Sequence, residues 1–240
     1  MEIKYHAIIL NKFDVSETDR IYVGYTLEAG KISALAKGVR KSKAKLAGIL
    51  EPITYAEVFI ARNRGKGKIV GAICANNFSN IKNDLASLER VFYIFQIFNR
   101  LVTQEERDEK VFNLLLAYLE ISEKLASLKD EDFKSNVLTL GFVFKLLQLL
   151  GYGIQTGKCV NCSTKIVAGE NYFSAKRGGI LCANCARAET GKIKISDSSI
   201  KLIRIFFQNK LENFSKIKIS QETLNNLKVI ANETLRWVDN

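Results

Sequence analysis

Apolar and polar positions alternate in short runs from Ile3 to Phe78, and glycines separate the runs. Alternation with a period of two, rich in Ile, Val, Tyr and Phe, is typical of β-strands. The turn at Glu28–Lys31 predicts a hairpin in which Gly30 takes a positive φ. Five short strands in so few residues favour a small barrel of the OB type. The predicted strands are Ile3–Phe13, Arg20–Leu27, Lys31–Ala36, Ile53–Ala61 and Lys68–Cys74.

After residue 80 the apolar positions recur at steps of three and four, which is typical of amphipathic helices. The apolar stripe of the first helix is expected to pack on another helix or on the barrel. Its members are Leu88, Phe92, Phe95 and Phe98. Gly151-Tyr152-Gly153 predicts the end of the third helix. The three helices are predicted at Leu85–Val102, Glu109–Leu128 and Asp132–Leu150.

Two more helices are predicted near the end of the chain, at Asp197–Gln208 and Gln221–Val238, with Ser196 and Ser220 as their N-caps. The helices before and after the cysteines are expected to pack together, with the cysteine segment as an insertion. The pattern as a whole predicts an α+β chain with two domains. We expect residues 1–80 to form an OB-fold domain, a type of barrel that binds oligonucleotides, and residues 81–240 to form a helical domain with an inserted four-cysteine zinc module at about 157–190.

Two C-x-x-C pairs, separated by about twenty residues, match the spacing of a structural zinc site with four thiolate ligands. The expected ligands of this single Zn²⁺ are Cys159, Cys162, Cys182 and Cys185. Four thiolates leave no open coordination position, so the metal is expected to stabilise the segment and not to activate water. A redox dithiol is the main alternative, although it would favour a single pair. Cys74 lies in an apolar strand and is expected to be buried.

Charge points to a polyanionic partner, because 36 Lys and Arg face 25 Asp and Glu and give a net charge of +11. A solvated basic surface without a partner is the alternative. Between Lys31 and Lys68 there are ten cations and two carboxylates. The candidate nucleic-acid-binding residues are Lys37, Arg40, Lys41, Lys43, Lys45, Arg62, Arg64 and Lys66. Four aromatic residues could stack on bases, but each fits the core better: Tyr22, Tyr25, Tyr55 and Phe59.

A second and weaker basic cluster surrounds the cysteines and could either extend a DNA footprint or keep the module in solution. It comprises Lys158, Lys165, Lys176, Arg177, Arg187, Lys192 and Lys194. No catalytic triad, acidic metal cluster or phosphate-binding glycine loop is recognisable, so no enzyme and no nucleotide ligand are expected. His6 is interpreted as structural. The chain lacks a secretory signal and an apolar run of about 20 residues, which predicts a cytoplasmic protein that is not in a membrane.

Two segments, Glu17–Arg20 and Thr26–Lys41, resemble the bacterial recombination-repair family RecO. The most specific part is Ala36-Lys37-Gly38-Val39-Arg40, and the order of barrel, helices and late cysteine pairs is also similar to RecO. The resemblance implies DNA contact at Lys37, Arg40 and Lys41, with Arg62 and Arg64 nearby. Family members often carry an aromatic residue where this chain has Ile53 after Pro52, which weakens a base-stacking role at that position.

The resemblance also implies a nucleoid-associated protein that binds single- and double-stranded DNA without ATP and anneals complementary strands. Its implied partners are RecR and the single-strand-binding protein, with the recombinase RecA acting downstream on the coated strand. A zinc-ribbon factor that binds RNA or polymerase is the main alternative, and a preference for RNA through its 2′-hydroxyls would favour it. A nucleotide-dependent enzyme is the less favoured alternative, which turnover of a nucleotide would support.

Overall fold

The computed structural model describes residues 2–41, 44, 46–61, 67–102, 107–128 and 131–239. The chain divides into two compact units, residues 1–129 and 130–240. The first unit contains the barrel and the helices that directly follow it, and the second contains the remaining helices and the two C-x-x-C pairs. The expected domain boundary after residue 80 stays a prediction.

Five strands of the first unit form the closed barrel that was predicted. They close in the order β1-β2-β3-β5-β4, with β3 and β5 parallel and the other described pairs antiparallel, which is the arrangement of an OB fold. Every predicted strand is confirmed, with ends that differ by at most two residues. The strands are β1 (Glu2–Asp14), β2 (Arg20–Thr26), β3 (Gly30–Ala36), β4 (Thr54–Ala61) and β5 (Gly67–Asn76).

Strand β1 is long enough to pair with two neighbours, because a bulge between Ile9 and Asn11 bends it. Its residues 2–9 pair with β4, and its residues 7–14 pair with β2. Alternate side chains of all five strands fill the barrel interior, and the hairpin glycine Gly30 has the expected positive φ of 65°. The buried interior includes Tyr5, Ala7, Ile9, Tyr22, Ile32, Ala34, Ala36, Val39, Ala56, Val58, Ile60 and Ile69.

The helices of the first unit are α1 (Leu46–Ile49), α2 (Ser79–Asn83), α3 (Leu85–Leu101) and α4 (Glu109–Ala126). Tyr25 lies on the outside of the barrel and is fully buried by these helices, with its ring 4.8 Å from Phe98 and 6.3 Å from Phe112. The expected apolar stripe of α3 is wrong at Phe92, which is 40% exposed. The buried face of α3 instead includes Val91 and Ile94, which precede Phe98 at steps of three and four residues.

Cys74 is exposed, so the expectation that it is buried is wrong. It lies near the end of β5, where Ile73, Cys74 and Ala75 are all exposed. The alternation of buried and exposed residues stops there because the end of the strand has no core on either face. An apolar composition alone therefore did not indicate burial at this position.

The second unit joins four described α-helices and a 3-10 helix with a small sheet. Its elements are α5 (Asp132–Leu149), β6 (Asn171–Ser174), β7 (Gly179–Cys182), α6 (Ala183–Ala186), β8 (Ile193–Ile195), α7 (Asp197–Gln208), a 3-10 helix (Leu211–Lys216) and α8 (Gln221–Val238). The predicted N-caps are confirmed, since Ser196 accepts a hydrogen bond from Ser199 N–H and Ser220 accepts one from Thr223 N–H. Helix α5 ends just before Gly151, as predicted.

The helices on either side of the cysteine segment share one core, as expected. The ring of Phe144 in α5 stacks on Phe206 in α7 at 5.9 Å, and Phe214 of the 3-10 helix lies 4.8 Å from Phe206. Gly141 allows this close approach, because a Cβ at that position would overlap the Phe214 ring. The cysteine segment is therefore an insertion between helices that pack together without it.

Candidate metal centre and nucleic-acid interface

The four predicted metal ligands lie together in the second unit. The sulfur atoms of Cys159, Cys162, Cys182 and Cys185 all lie within 4.8 Å of one another. Zn–S bonds of about 2.3 Å in a tetrahedral site place neighbouring sulfurs roughly 3.8 Å apart. The Cys162 and Cys182 sulfurs are 3.9 Å apart, which fits that geometry. The four cysteines could therefore hold a metal ion.

Hydrogen bonds from neighbouring protein groups orient the cysteine sulfurs. The Cys182 N–H donates to the Cys159 sulfur at 3.4 Å, and the Asn161 amide donates to the Cys185 sulfur at 3.4 Å. The hydrogen bond to the Thr164 hydroxyl is the main reason why the pKa of Cys162 is lowered to about 6. The Asn161 amide lowers the pKa of Cys185, but the neighbouring Cys162 sulfur and burial outweigh it and raise that pKa to about 11. A divalent cation would remove this conflict by stabilising all four thiolates.

The segment around the cysteines has little core of its own. Its three strands pair in the order β7-β6-β8, and their most deeply buried large residues are Phe173, Ile180, Leu181 and Ile195. The Val160 N–H donates to the Ile180 carbonyl at 2.9 Å and ties the first cysteine pair to β7. A segment of this size usually depends on a metal or disulfides for its stability.

The basic loop, residues 37–41, follows β3 in the first unit and is held against the loop between β1 and β2. The Gly38 N–H donates to the Asp19 carboxylate at 2.8 Å, and the Arg40 N–H donates to the Thr18 carbonyl at 3.0 Å. Val39 is 2% exposed and anchors the loop in the barrel core. The loop thus has a defined backbone with cationic side chains on a fixed support.

The three described cations of the basic loop differ in their partners. The Arg40 guanidinium donates to the Ser16 carbonyl at 2.8 Å and lies 3.5 Å from the Asp14 carboxylate. Arg40 therefore also makes structural contacts within the first unit. Lys37 and Lys41 are exposed and form no ion pair with any residue that the structure describes. These two lysines are the cations most available to a phosphate.

Lys31 does not belong to the basic surface, although it was counted in the basic stretch. Its ammonium is buried and donates to the carbonyls of Asn99 at 2.7 Å and Val102 at 3.0 Å, at the end of α3. Burial lowers the pKa of Lys31. Five other candidate cations lie outside the described residues: Lys43, Lys45, Arg62, Arg64 and Lys66.

An outward-facing row of side chains crosses the barrel beside the basic loop. Strand register pairs Phe13 with Ile21, Ile21 with Leu35, and Leu35 with Lys68, so the four side chains share one face. Phe13 is 51% exposed, Ile21 and Leu35 are half-buried, and Lys68 is exposed. In OB folds the face of β2 and β3 is the usual surface for oligonucleotides.

The four aromatic residues considered for stacking are less available than Phe13. Tyr22 is inside the barrel and Tyr25 is beneath the helices. Tyr55 is half-buried against Phe112, with ring centroids 6.2 Å apart, and Phe59 is also half-buried. The preference of these residues for the core is confirmed for Tyr22 and Tyr25.

The second basic cluster contains both structural and exposed cations. Arg177 pairs with Glu189 at 2.8 Å and donates to the Asn161 side chain at 3.2 Å, so it braces the first cysteine pair. Lys192 donates to the Ala186 carbonyl at the end of α6. The remaining members are exposed: Lys158, Lys165, Lys176, Arg187 and Lys194.

Two family models together match most of the chain. Residues 1–78 match the model described as "Recombination protein O N terminal", and residues 83–238 match "Recombination protein O C terminal". The chain belongs to the RecO family. Members of this family are named DNA repair proteins, and the name describes no catalysed reaction.

Several curated RecO proteins are similar to this chain over nearly its whole length. The DNA repair protein RecO of Dehalococcoides mccartyi strain 195 is 33% identical over 237 residues, which cover 99% of this chain and 90% of that protein. RecO of Halalkalibacterium halodurans is 28% identical over 231 residues, with 96% and 87% covered. RecO of Listeria welshimeri is 26% identical over 220 residues, with 92% and 83% covered.

The single histidine of the sequence, His6, lies in the first strand of the barrel. His6 bridges two carboxylates, with Nδ1 2.6 Å from Glu28 and Nε2 3.4 Å from Glu57, and so connects β1 to a hairpin turn and to β4. This position fits the structural role expected of it.

Among the described helices, none combines the length and the apolar character that crossing a bilayer requires.

Sequence reasoning did not identify Phe13 or the buried anchor Val39. The bulge in β1 moves Phe13 to the outer face, and a bulge leaves no clear signal in the sequence. Val39 is the one apolar side chain in the segment Lys37-Gly38-Val39-Arg40-Lys41. It was a signal for a buried anchor, since a purely solvated loop does not need an apolar side chain.

Proposed function

We propose that this chain is a non-catalytic mediator of recombinational DNA repair. It binds single- and double-stranded DNA, anneals complementary strands without a nucleotide, and acts with RecR to load RecA onto DNA coated with single-strand-binding protein. The membership of the RecO family supports this role. The chromosome is the substrate in such a role, so we place the protein in the cytoplasm at the nucleoid.

The observation that carries the DNA-binding proposal is the basic loop. A backbone fixed by Asp19, Thr18 and Val39 presents the ammonium groups of Lys37 and Lys41, neither of which forms an ion pair with a described carboxylate. Positioned cations of this kind bind phosphates and release condensed counterions. We infer that Arg40 contributes mainly by holding the loop, and that the remaining candidates extend the same surface: Lys43, Lys45, Arg62, Arg64 and Lys66.

The outward-facing row supplies an apolar surface beside these cations. We infer that Phe13 stacks on an unpaired base, while Ile21 and Leu35 support the neighbouring sugar and base edges. Stacking on an aromatic ring is tolerant of sequence, because every base has a π-face. Annealing then follows from partial neutralisation of two strands that are held close enough to find their register.

We infer that the four cysteines bind one Zn²⁺ and that its role is structural. The all-thiolate donor set and the 3.9 Å separation of Cys162 and Cys182 sulfurs fit zinc. Bound zinc would supply charge neutralisation and a cross-link, with no open position for a substrate. The protein itself orients the ligands through Asn161 and the Cys182 N–H.

The decisive experiment is annealing of complementary single strands coated with single-strand-binding protein, without ATP and across a salt series. The wild-type chain should accelerate annealing, and the double substitution Lys37→Ala with Lys41→Ala should reduce DNA affinity by roughly tenfold or more at low salt. The log–log salt slope for single strands should become shallower by about 1.4, since each lost phosphate contact removes about 0.7.

The matched control is Lys210→Ala with Lys218→Ala, two exposed lysines of the second unit that lie outside the basic loop. This variant should anneal like the wild type. Acceleration that is unaffected by the Lys37 and Lys41 substitutions would remove the basic loop from the DNA interface. No acceleration by a folded wild-type chain that contains zinc would contradict the proposed function itself.

A further inference from the structure

A groove of about 270 Å³ in the second unit borders the second basic cluster and lies outside the metal centre and the barrel surface. It is open to solvent, and its walls come from three separate segments: the turn after α5, the β6–β7 hairpin and the end of α8. Its lining includes Tyr152, Lys176, Arg177, Thr234 and Trp237. Its volume is close to the lower end of small-ligand pockets, which is about 300 Å³.

Two aromatic side chains of the groove have unused faces. Tyr152 is 47% exposed and Trp237 is 52% exposed. Neither ring stacks on another aromatic ring within the part of the chain that the structure describes. Leaving a tryptophan half in water has a cost, because its large apolar surface favours burial. Exposed aromatic residues that line one groove therefore mark a binding surface.

The charged side chains that line the groove are both cations, Lys176 and Arg177. Lys176 is exposed and has no ion-pair partner among the described residues, whereas Arg177 is held by Glu189, whose side chain is 9% exposed. The cysteine module, to which the β6–β7 hairpin of the groove belongs, carries further exposed cations: Lys158, Lys165, Arg187 and Lys194. Aromatic faces beside cations suit a ligand with flat apolar rings and a negatively charged backbone.

We propose that this groove is a second single-strand-binding site, which takes unpaired bases on Tyr152 and Trp237 and a flanking phosphate on Lys176. The proposal deepens the proposed function and rests on it, since annealing brings two strands together. The barrel surface of the first unit would bind one strand and the groove of the second unit the other. The site recognises backbone and base faces, so it has no sequence preference.

Trp237 is the only tryptophan of the chain and therefore reports directly on this groove. The full-length protein is titrated with oligothymidylate while tryptophan emission is recorded, and binding of a labelled oligothymidylate is followed separately by anisotropy. A saturable loss of Trp237 emission is expected, because a stacked base quenches indole. The same loss is expected in the Lys37→Ala, Lys41→Ala protein, whose barrel surface is impaired.

Two variants keep the tryptophan and test the groove. Tyr152→Ala and Lys176→Glu should each weaken the quenching transition by about tenfold, the effect expected for losing one stacked base or one phosphate contact. Their controls are Phe92→Ala, a half-exposed aromatic of the first unit, and Lys218→Glu, an exposed lysine outside the groove. Both controls should quench like the wild type.

The outcomes separate this site from the barrel. Anisotropy binding without any change in Trp237 emission would overturn the groove and leave the proposed function standing. Quenching that is lost with Lys37 and Lys41 but kept in Tyr152→Ala and Lys176→Glu would also overturn it, because the signal would then come from barrel-bound DNA. An acidic peptide that changes the emission when oligothymidylate does not would assign the groove to a protein partner and overturn the proposal. Absence of both signals would contradict the proposed function as well.

Discussion

The basic loop of the barrel and the cysteine module both carry exposed lysines, but they are held in place by different means. The loop is fixed by backbone hydrogen bonds to Asp19 and Thr18 and by one buried side chain, Val39. The cysteine module places four sulfurs within 4.8 Å of one another and has few buried large side chains. A cationic surface can thus depend on a protein core in one unit and on a metal ligand set in the other.

Because of this difference, the two surfaces should lose their structure under different conditions. Loss of metal should affect the cysteine module and leave the barrel intact, because no cysteine of the cluster belongs to the barrel. Loss of a single buried hydrogen-bond donor should lower the free energy of unfolding by a similar amount in both units. Each experiment below tests one side of this comparison.

The largest effect is expected from Cys159→Ser. This substitution removes the buried ligand of the cluster, and structural zinc in small peptides contributes on the order of 10 kcal/mol. Zinc content should fall from one per chain to none, and residues 154–195 should become sensitive to proteases. Amides of the barrel strands should keep their protection against hydrogen exchange. Metal analysis and mass spectrometry of exchange and cleavage measure these quantities.

Cys74→Ser is the matched control, because Cys74 is exposed and lies outside the cluster. It should retain zinc and protease resistance. Retention of both by Cys159→Ser would show that the cysteine module is not stabilised by metal. Loss of barrel protection in the same variant would contradict the independence of the two units.

An intermediate effect is expected from Lys31→Met and Lys145→Met. Lys31 donates to two carbonyls at the end of α3, and Lys145 donates to the carbonyls of Phe206 and Asn209 at the end of α7. Methionine keeps the chain length but removes the donor, so each change should lower the free energy of unfolding by roughly 1–3 kcal/mol. Denaturant unfolding measures it.

Lys201→Met provides the control, since Lys201 is exposed on α7. It should unfold like the wild type. Removal of zinc should leave the cost of Lys31→Met unchanged. An effect of Lys31→Met that disappears with the metal would mean that the barrel unit also depends on the cysteine module.

The smallest effect concerns acid stability of the basic loop. The Gly38 N–H and then the Thr18 hydroxyl lower the pKa of Asp19 below its ordinary value of 3.8. The folded state therefore prefers ionised Asp19, and this contribution is present above the ordinary value and is lost as pH falls through the lowered pKa. Asp19→Asn should reduce stability near neutral pH and flatten its decline in acid.

Urea unfolding from neutral pH to below 3.8 checks this expectation. Glu17→Gln changes an exposed carboxylate of the same loop and should keep the wild-type pH profile. A steep acid decline that survives in Asp19→Asn would assign it to other carboxylates with a lowered pKa, such as Asp14 beside Arg20.

The sequence was sufficient for the parts of the fold that local physics determines. Alternation located all five barrel strands, the serines at 196 and 220 located two helix starts, and the C-x-x-C spacing located the cluster. Each of these signals lies within a few residues of the element that it predicts.

The sequence was insufficient where the outcome depends on distant segments. Odd-numbered residues of β1 point inward up to Ile9, and that phase would also place Phe13 inside. The bulge shifts the phase and exposes it. Counting charges could not separate buried Lys31 from exposed Lys37, because the burial of Lys31 comes from α3. The groove was invisible for the same reason, since Tyr152 and Trp237 are far apart in the chain.

The parallel pairing of β3 with β5 gives the barrel a preferred order of assembly. In the described chain this seam joins Ala34 to Gly67 and Leu35 to Lys68, whereas the antiparallel ladders are longer. The few contacts of this seam offset less of the chain entropy lost on closure than the longer ladders do, so we expect it to form last in folding and to open first. Leu35 and Lys68 belong to both the seam and the outward-facing row. A strand of DNA bound across that row would therefore contact both sides of the seam, stabilise it and slow the unfolding of the barrel.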